Sequence, residues 1–238
     1  MKLIVAGSTG FVATEVIRQA LSNPDITSIV ALGRRPAAIP SSLDTAANTT
    51  KLNSVILKDF DNEYPAEVTK ELSGADACIW TIAVLPSQYK SMPWEHVVKI
   101  CRDYPVRGLE TISQLAGSAE GKKPLRFIYV SGALAERDQT KKPMMLGEYC
   151  LLRGEAETHL LEAARKLNGT VQAGIAKPGL ITENEGLIPM IKRTMLPFIG
   201  LPAIRITEIA AALIDQAVNG LEKDTLLNED MVRIAHQK

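Results

Sequence analysis

A short apolar run meets a glycine turn at the amino end of the chain: Met1-Lys2-Leu3-Ile4-Val5-Ala6-Gly7-Ser8-Thr9-Gly10-Phe11-Val12-Ala13. Leu3–Ala6 is too short and too uniformly apolar for an amphipathic helix and reads as a buried strand. From Val12 to Ser22 the apolar residues fall at helical spacing, and Asn23-Pro24 stops the ladder because proline has no N–H to continue it. Strand, tight turn and helix amino terminus together form the context in which a glycine pattern signals phosphate binding. Gly7 permits the turn, Gly10 lets a diphosphate approach the backbone, and Ala13 stands where a small residue allows close helix–strand packing. The free amides and positive dipole end of the helix favour an anion. This makes Gly7, Ser8, Thr9, Gly10, Phe11 and Val12 candidate cofactor-binding residues, set against the plainer reading of an ordinary βα turn.

The same rhythm continues along the chain. Strands are expected near Leu3–Ala6, Ile29–Leu32, Val55–Leu57, Ala77–Thr81, Phe127–Val130 and Val171–Ala176. Their continuous apolar character suits strands covered on both faces. Helices are expected at Val12–Ser22, Tyr64–Leu72, Pro93–Leu115, Gly147–Leu167 and Thr207–Val218, the last opened by Thr207 as a hydroxyl N-cap. Thr225–Ile234 is expected to add an edge strand or a helix. The pattern predicts an α/β fold, a doubly wound parallel sheet in the order 3-2-1-4-5-6. Residues 1–238 read as one domain, with 180–238 contributing a small substrate-covering extension. Within that extension, 186–202 is rich in Ile, Leu and Met and reads as a flexible wall over an apolar pocket. A short buried helix or, more remotely, a membrane-surface helix are its alternatives.

Composition narrows the function classes. Hydrophobic residues make up 46% and charged residues 23%, the balance of an ordinary globular chain. Lys+Arg and Asp+Glu both count 27, which argues against a broad basic face for nucleic acid. Cys78, Cys101 and Cys150 are widely spaced and lack histidine partners, so neither a disulfide framework nor a metal site is expected, and a reducing, cytoplasmic setting fits. No run reaches the roughly 18 apolar residues needed to span a bilayer, and no membrane partner is expected. His96 and His159 have no second ligand at metal spacing.

The end of the second strand reads Ala31-Leu32-Gly33-Arg34-Arg35-Pro36. A cofactor with a free ribose 2′-hydroxyl calls for an acid there, whereas two guanidiniums match a 2′-phosphate by their bidentate forks. Arg34 and Arg35 therefore predict NADP(H) over NAD(H), with two solvated surface arginines as the alternative.

The ordered set Gly7-x-x-Gly10-x-x-Ala13, Gly33-Arg34-Arg35, Lys58-Asp59-Phe60, Cys101-Arg102-Asp103-Tyr104, Tyr129-Val130-Ser131-Gly132-Ala133, Lys177-Pro178-Gly179 and Leu227-Asn228-Glu229-Asp230 resembles an atypical short-chain dehydrogenase/reductase. The nearest branch by these motifs is the NAD(P)-binding, Tat-interacting-protein-like and NmrA-like set, in its fungal form. The resemblance spans essentially the whole chain and implies a Rossmann dinucleotide-binding fold. It also implies that Asp59 and Phe60 border the adenine, that Thr81 and Ile82 pass the adenine ribose, and that Pro178 and Gly179 lie beside the nicotinamide. Asp59 capping a turn and Pro178-Gly179 as a simple loop are the bland alternatives.

Carbonyl reduction in this superfamily uses a tyrosine as proton donor, a lysine four residues later to lower its pKa, and a serine to hold the substrate oxygen. An unperturbed tyrosine titrates near about 10, and the i, i+4 spacing puts both groups on one helix face. Here Tyr149-Cys150-Leu151-Leu152-Arg153 keeps the tyrosine and replaces the lysine, while Ser131 ends the fifth strand. Arg153 brings a cation to the right face in a different shape. Three readings stay open. The first is an NADP(H)-dependent oxidoreductase acting on a carbonyl or hydroxyl of a small, apolar metabolite through Ser131, Tyr149 and Arg153. The others are a dinucleotide-binding redox sensor without turnover and a redox-neutral isomerase or cyclase. A homodimer is compatible with all three.

Overall fold

Lys2–Ala6 (β1) lies at the centre of a parallel sheet, hydrogen-bonded on one side to Ser28–Gly33 (β2) and on the other to Ala77–Trp80 (β4). The computed structural model describes every residue except 41, 118–122, 142, 145, 184–200 and 238. Leu52–Ile56 (β3), Leu125–Val130 (β5), Val171–Lys177 (β6) and Thr225–Leu227 (β9) complete a seven-stranded sheet of order β3-β2-β1-β4-β5-β6-β9, parallel throughout. The expected order holds, with β9 added at the outer edge. Leu180–Thr182 (β7) and Ala203–Arg205 (β8) pair parallel in a separate two-stranded sheet that the sequence pattern did not reveal.

Helices cover both faces. Alternation along β1 sends Ile4 and Ala6 into one core and Leu3 and Val5 into the other. The first core packs beneath Ala66–Leu72 (α2), Tyr104–Ala116 (α4) and Gly147–Lys166 (α5). The second packs beneath Phe11–Ser22 (α1), Ile206–Asn219 (α6) and Asn228–Ala235 (α7). This two-sided burial is why β1, β2 and β4 lack a polar face, whereas edge strand β3 leaves Asn53 and Ser54 exposed.

The stretch expected as one helix from Pro93 to Leu115 is divided into three. Trp94–Val98 (α3) passes into a π-helical turn, Lys99–Asp103, before α4 begins. Tyr104 N–H bonds back five residues to Lys99 O, the wide π spacing. Pro105 cannot donate to the carbonyl four residues behind it, that of Cys101, and this carbonyl accepts the Tyr129 hydroxyl at 3.0 Å instead. The helix thus gives up a local bond and gains one to the sheet.

The sixth helix also starts differently from expectation. Its N-cap is Arg205 rather than Thr207, and the Glu208 carboxylate accepts the Arg205 backbone N–H at 2.9 Å. Burial by itself would raise the Glu208 pKa, but bonds from the Arg205 side chain and backbone and from His236 outweigh it, and the carboxyl is held below its ordinary value. A carboxyl depressed by folding contributes stability above its unfolded pKa and loses it as pH falls through its folded value. His236, at the end of α7, reaches Glu208 Oε1 at 2.9 Å, so this bond ties α7 to α6. The melting temperature of the wild type should fall more steeply below about pH 4 than that of Glu208→Gln, as read by circular dichroism.

Among the described residues, no helix is long and apolar enough to cross a membrane. The expected wall 186–202 lies outside the described residues except for Leu201 and Pro202.

Candidate active site

The carboxyl edge of the sheet gathers most of the residues singled out from sequence. Gly7 leaves β1 with φ of +87°, a conformation that a Cβ would strain. That Cβ would also stand 2.5 Å from Thr81 Oγ1 and 3.1 Å from Ile82 Cγ1, so the turn after β4 is pressed against the glycine turn. Thr81 Oγ1 donates to Ala6 O at 2.8 Å, which holds the two turns together. Gly10 is the N-cap of α1, and Thr14 N–H makes the first return bond, to Gly10 O at 2.9 Å. The amides of Phe11, Val12 and Ala13 ahead of it have no partner within the helix.

Two further features suit an anionic ligand at this turn. Ser8 is 2% exposed, yet its hydroxyl has no hydrogen-bond partner among the described residues. A Cβ on Gly33 would come within 2.8 Å of that hydroxyl, so the end of β2 adjoins the turn with room for nothing larger. Beyond Gly33, Arg34 and Arg35 are exposed, and neither forms an ion pair or hydrogen bond among the described residues. An orphaned buried hydroxyl, helix-end amides and two uncommitted guanidiniums form a donor set that fits a phosphorylated dinucleotide.

The residues expected around the adenine are arranged unevenly. Asp59 accepts from Asp61 N–H at 2.8 Å and Asn62 Nδ2 at 2.6 Å, the turn-capping role named as its alternative. The Phe60 ring is 2% exposed, edge-on to Tyr64 and Trp80 and stacked on Tyr104 at 5.7 Å, so its side chain belongs to the core. Arg107 donates to Asp61 O and anchors this loop to α4.

At the other half of the edge, Ser131 continues the β5 ladder by donating its N–H to Ala176 O at 2.8 Å. Ala133 N–H bonds Pro178 O at 2.8 Å, and Gly179 N–H is capped by Asn228 Oδ1 at 2.9 Å. Gly179 is required by packing: a Cβ there would lie 1.9 Å from Pro202 O. Ser131, Pro178 and Gly179 are thereby brought side by side.

Tyr149 and Arg153 depart from the arrangement their spacing suggested. The helix that carries both starts at Gly147 as expected. Tyr149 Oη donates to Val84 O at 2.6 Å, in the loop after β4, and its ring lies 5.2 Å from that of Tyr89. Burial pushes the phenol up to about 12, and the opposing pull of Arg153 is too small to reverse it. The expected lowering of the Tyr149 pKa by Arg153 is therefore corrected: a phenol 7% exposed loses more solvation than the cation restores. Arg153 turns beneath the sheet edge, donating Nη2 to Val130 O at 2.7 Å and stacking its guanidinium 4.7 Å over the Tyr129 ring.

One further α5 residue enters this region without having been anticipated. Glu157 is 0% exposed, and its carboxylate meets Ser131, Lys177 and Arg137. It lies four residues after Arg153 and eight after Tyr149, so continuing the helix face by one more turn would have found it. A groove of about 640 Å³ along α4, lined among others by Arg102, Tyr104, Glu110 and His159, contains none of the residues named above as candidates for cofactor binding or catalysis.

No family model matches the chain, and no curated protein matches it. Solved structures do. MoeE5 in complex with UDP-glucuronic acid and NAD superposes with a TM-score of 0.66 at 15% identity, over 95% of this chain and 75% of that one. UDP-glucuronic acid 4-epimerase from Bacillus cereus, in complex with UDP-glucuronic acid and NAD, gives 0.64 at 13%, over 95% and 77%. A putative NAD-dependent epimerase/dehydratase from Bacillus halodurans gives 0.58 at 16%, over the full length of both chains. At such identities the similarity establishes the fold, a Rossmann-like α/β sheet of the kind found in NAD-binding epimerases and dehydratases.

Proposed function

We propose that this chain binds NADP(H) and acts as an oxidoreductase of the short-chain dehydrogenase/reductase type on a carbonyl or hydroxyl group of a small, apolar metabolite. The observation that carries the reading is the cradle at Gly7: a positive-φ glycine, helix-end amides and the orphaned Ser8 hydroxyl beside the exposed Arg34 and Arg35. The bound nicotinamide would supply or accept the hydride. Ser131 would hold the reacting oxygen, Tyr149 would exchange the proton, and Arg153 would keep a cation beneath both. Solved structures of the same fold hold NAD, which supports a nicotinamide dinucleotide here. The preference for the 2′-phosphate rests on the two arginines. Leu85, Trp94 and Leu134, exposed in the segments after β4 and β5, support an apolar ligand, and residues 180–238 would cover it as the substrate-side part of a single domain.

Titration of the protein with NADPH and NADH, followed by nicotinamide fluorescence, tests the cofactor assignment. Arg34→Glu with Arg35→Ser should weaken NADPH by at least tenfold and leave NADH within about twofold, since a charge-assisted hydrogen bond is worth about 1.5–3 kcal/mol. Equal loss of both would defeat it.

A second reading, a dinucleotide-binding regulator without turnover, is favoured by one observation. The Tyr149 proton is committed to Val84 O and the phenol is a weaker acid than free tyrosine. Tyr149→Phe separates the two. As the proton donor, Tyr149 is needed for turnover, which should drop by about 10²-fold or more while NADPH affinity persists. Turnover unchanged in that variant would remove Tyr149 from the chemistry. Absence of turnover in the wild type across a carbonyl and alcohol panel, with NADPH still bound, would favour the regulator.

A further inference from the structure

Three side chains converge on one buried carboxylate. Glu157 of α5 receives Ser131 Oγ at 2.5 Å on Oε1 and Arg137 Nε at 2.8 Å on Oε2, and Lys177 Nζ bonds both oxygens at 3.0 Å. Lys177 also donates to Ala135 O at 2.7 Å, and Arg137 Nη2 donates to Thr225 Oγ1 at 2.9 Å, so both cations are themselves held in place. Lys177 and Arg137 can only donate, so both Glu157 oxygens face them as acceptors, and a carboxylate paired with two cations has no proton to give. The bond from Ser131 must therefore use the serine proton, and its length is that of a hydroxyl donating to an anion.

We infer that Ser131 meets its ligand as a hydrogen-bond acceptor, its one proton being committed to Glu157, so that the ligand group it recognises is a donor, a hydroxyl in preference to a carbonyl. A hydroxyl has one proton and two lone pairs, and only the lone pairs remain for a guest. Ser131 is half-buried at the end of β5, reachable from the sheet edge, whereas Glu157 behind it is sealed. Glu157 is thus a positioning residue that acts through Ser131. A carbonyl oxygen placed against Ser131 would face lone pairs and lose a bond it makes in water. The choice of ligand group rests on the proposed function, in which Ser131 holds the reacting oxygen. The location of the proton does not.

Two measurements on the wild-type protein separate these parts. A neutron crystal structure should place the Ser131 deuteron on Oγ and directed at Glu157 Oε1, with no deuteron on Glu157. A deuteron turned toward the pocket, or one on the carboxyl, overturns the inference, whether or not the protein binds a dinucleotide. Crystals soaked separately in 2-propanol and in acetone then probe the ligand class. The 2-propanol oxygen should lie within hydrogen-bond reach of Ser131 Oγ, and Ser131→Ala should lose it. Acetone bound there through its oxygen, or neither solvent bound there, overturns the preference for a hydroxyl.

Discussion

Gly154→Ala should destabilise the protein by about 3 kcal/mol, a fall of roughly 6–12 °C in melting temperature, although alanine is the better helix former by about 1 kcal/mol. Gly154 lies in the middle of α5, and a Cβ there would stand 1.8 Å from Glu136 O, 2.1 Å from Glu136 C and 2.6 Å from Arg137 N. All three are backbone atoms, so no side chain can rotate out of the way. The segment 136–137 must lift off the helix or the helix must move from the sheet. Lifting it withdraws Arg137 from Glu157 and disturbs the bond from Glu136 N–H to Cys150 O at 3.0 Å. Thermal unfolding by calorimetry reads the effect. A variant as stable as the wild type, or more stable, would show that the segment is not seated on α5 as described.

Glu157→Ala should cost about 3–5 kcal/mol, the range for removing one partner of a buried ionic group. The penalty comes less from the bonds lost than from the cations left behind. Among the described residues, Lys177, with 11% of its side chain exposed, would keep only the Ala135 carbonyl, and Arg137 only its bond to Thr225. The partner variant shows the cause. Glu157→Leu combined with Lys177→Met removes both buried charges and should recover at least half of the loss in urea unfolding, because an apolar pair needs no compensation. Additive losses in the double variant would place the cost in packing rather than in charge.

Much of the sheet was legible because its signal is local. Apolar runs of three to six residues marked β1 to β6, although edge strand β3 runs from Leu52 to Ile56 and begins earlier than its apolar run, and their order is that of a doubly wound sheet. The glycine turn was legible for the same reason, since positive φ at Gly7 is a property of the residue and its neighbours. The strands β7 and β8 were missed because three residues give no periodicity to read. The division of the long helix at Lys99–Asp103 was missed because the compensating partner, Tyr129, is distant in sequence.

The sequence by itself determined the doubly wound parallel sheet, the glycine turn after β1 and the placing of Ser131 and Tyr149 on adjacent elements at one edge, for these depend on short-range patterning. Only the tertiary structure decided where their protons go. Tyr149 faces Val84 O, Ser131 faces Glu157, and Arg153 lies over Tyr129, because donors buried at a sheet edge take the nearest acceptors that packing presents. Those partners come from residues 24 to 65 positions away, a distance across which spacing along the chain carries no information.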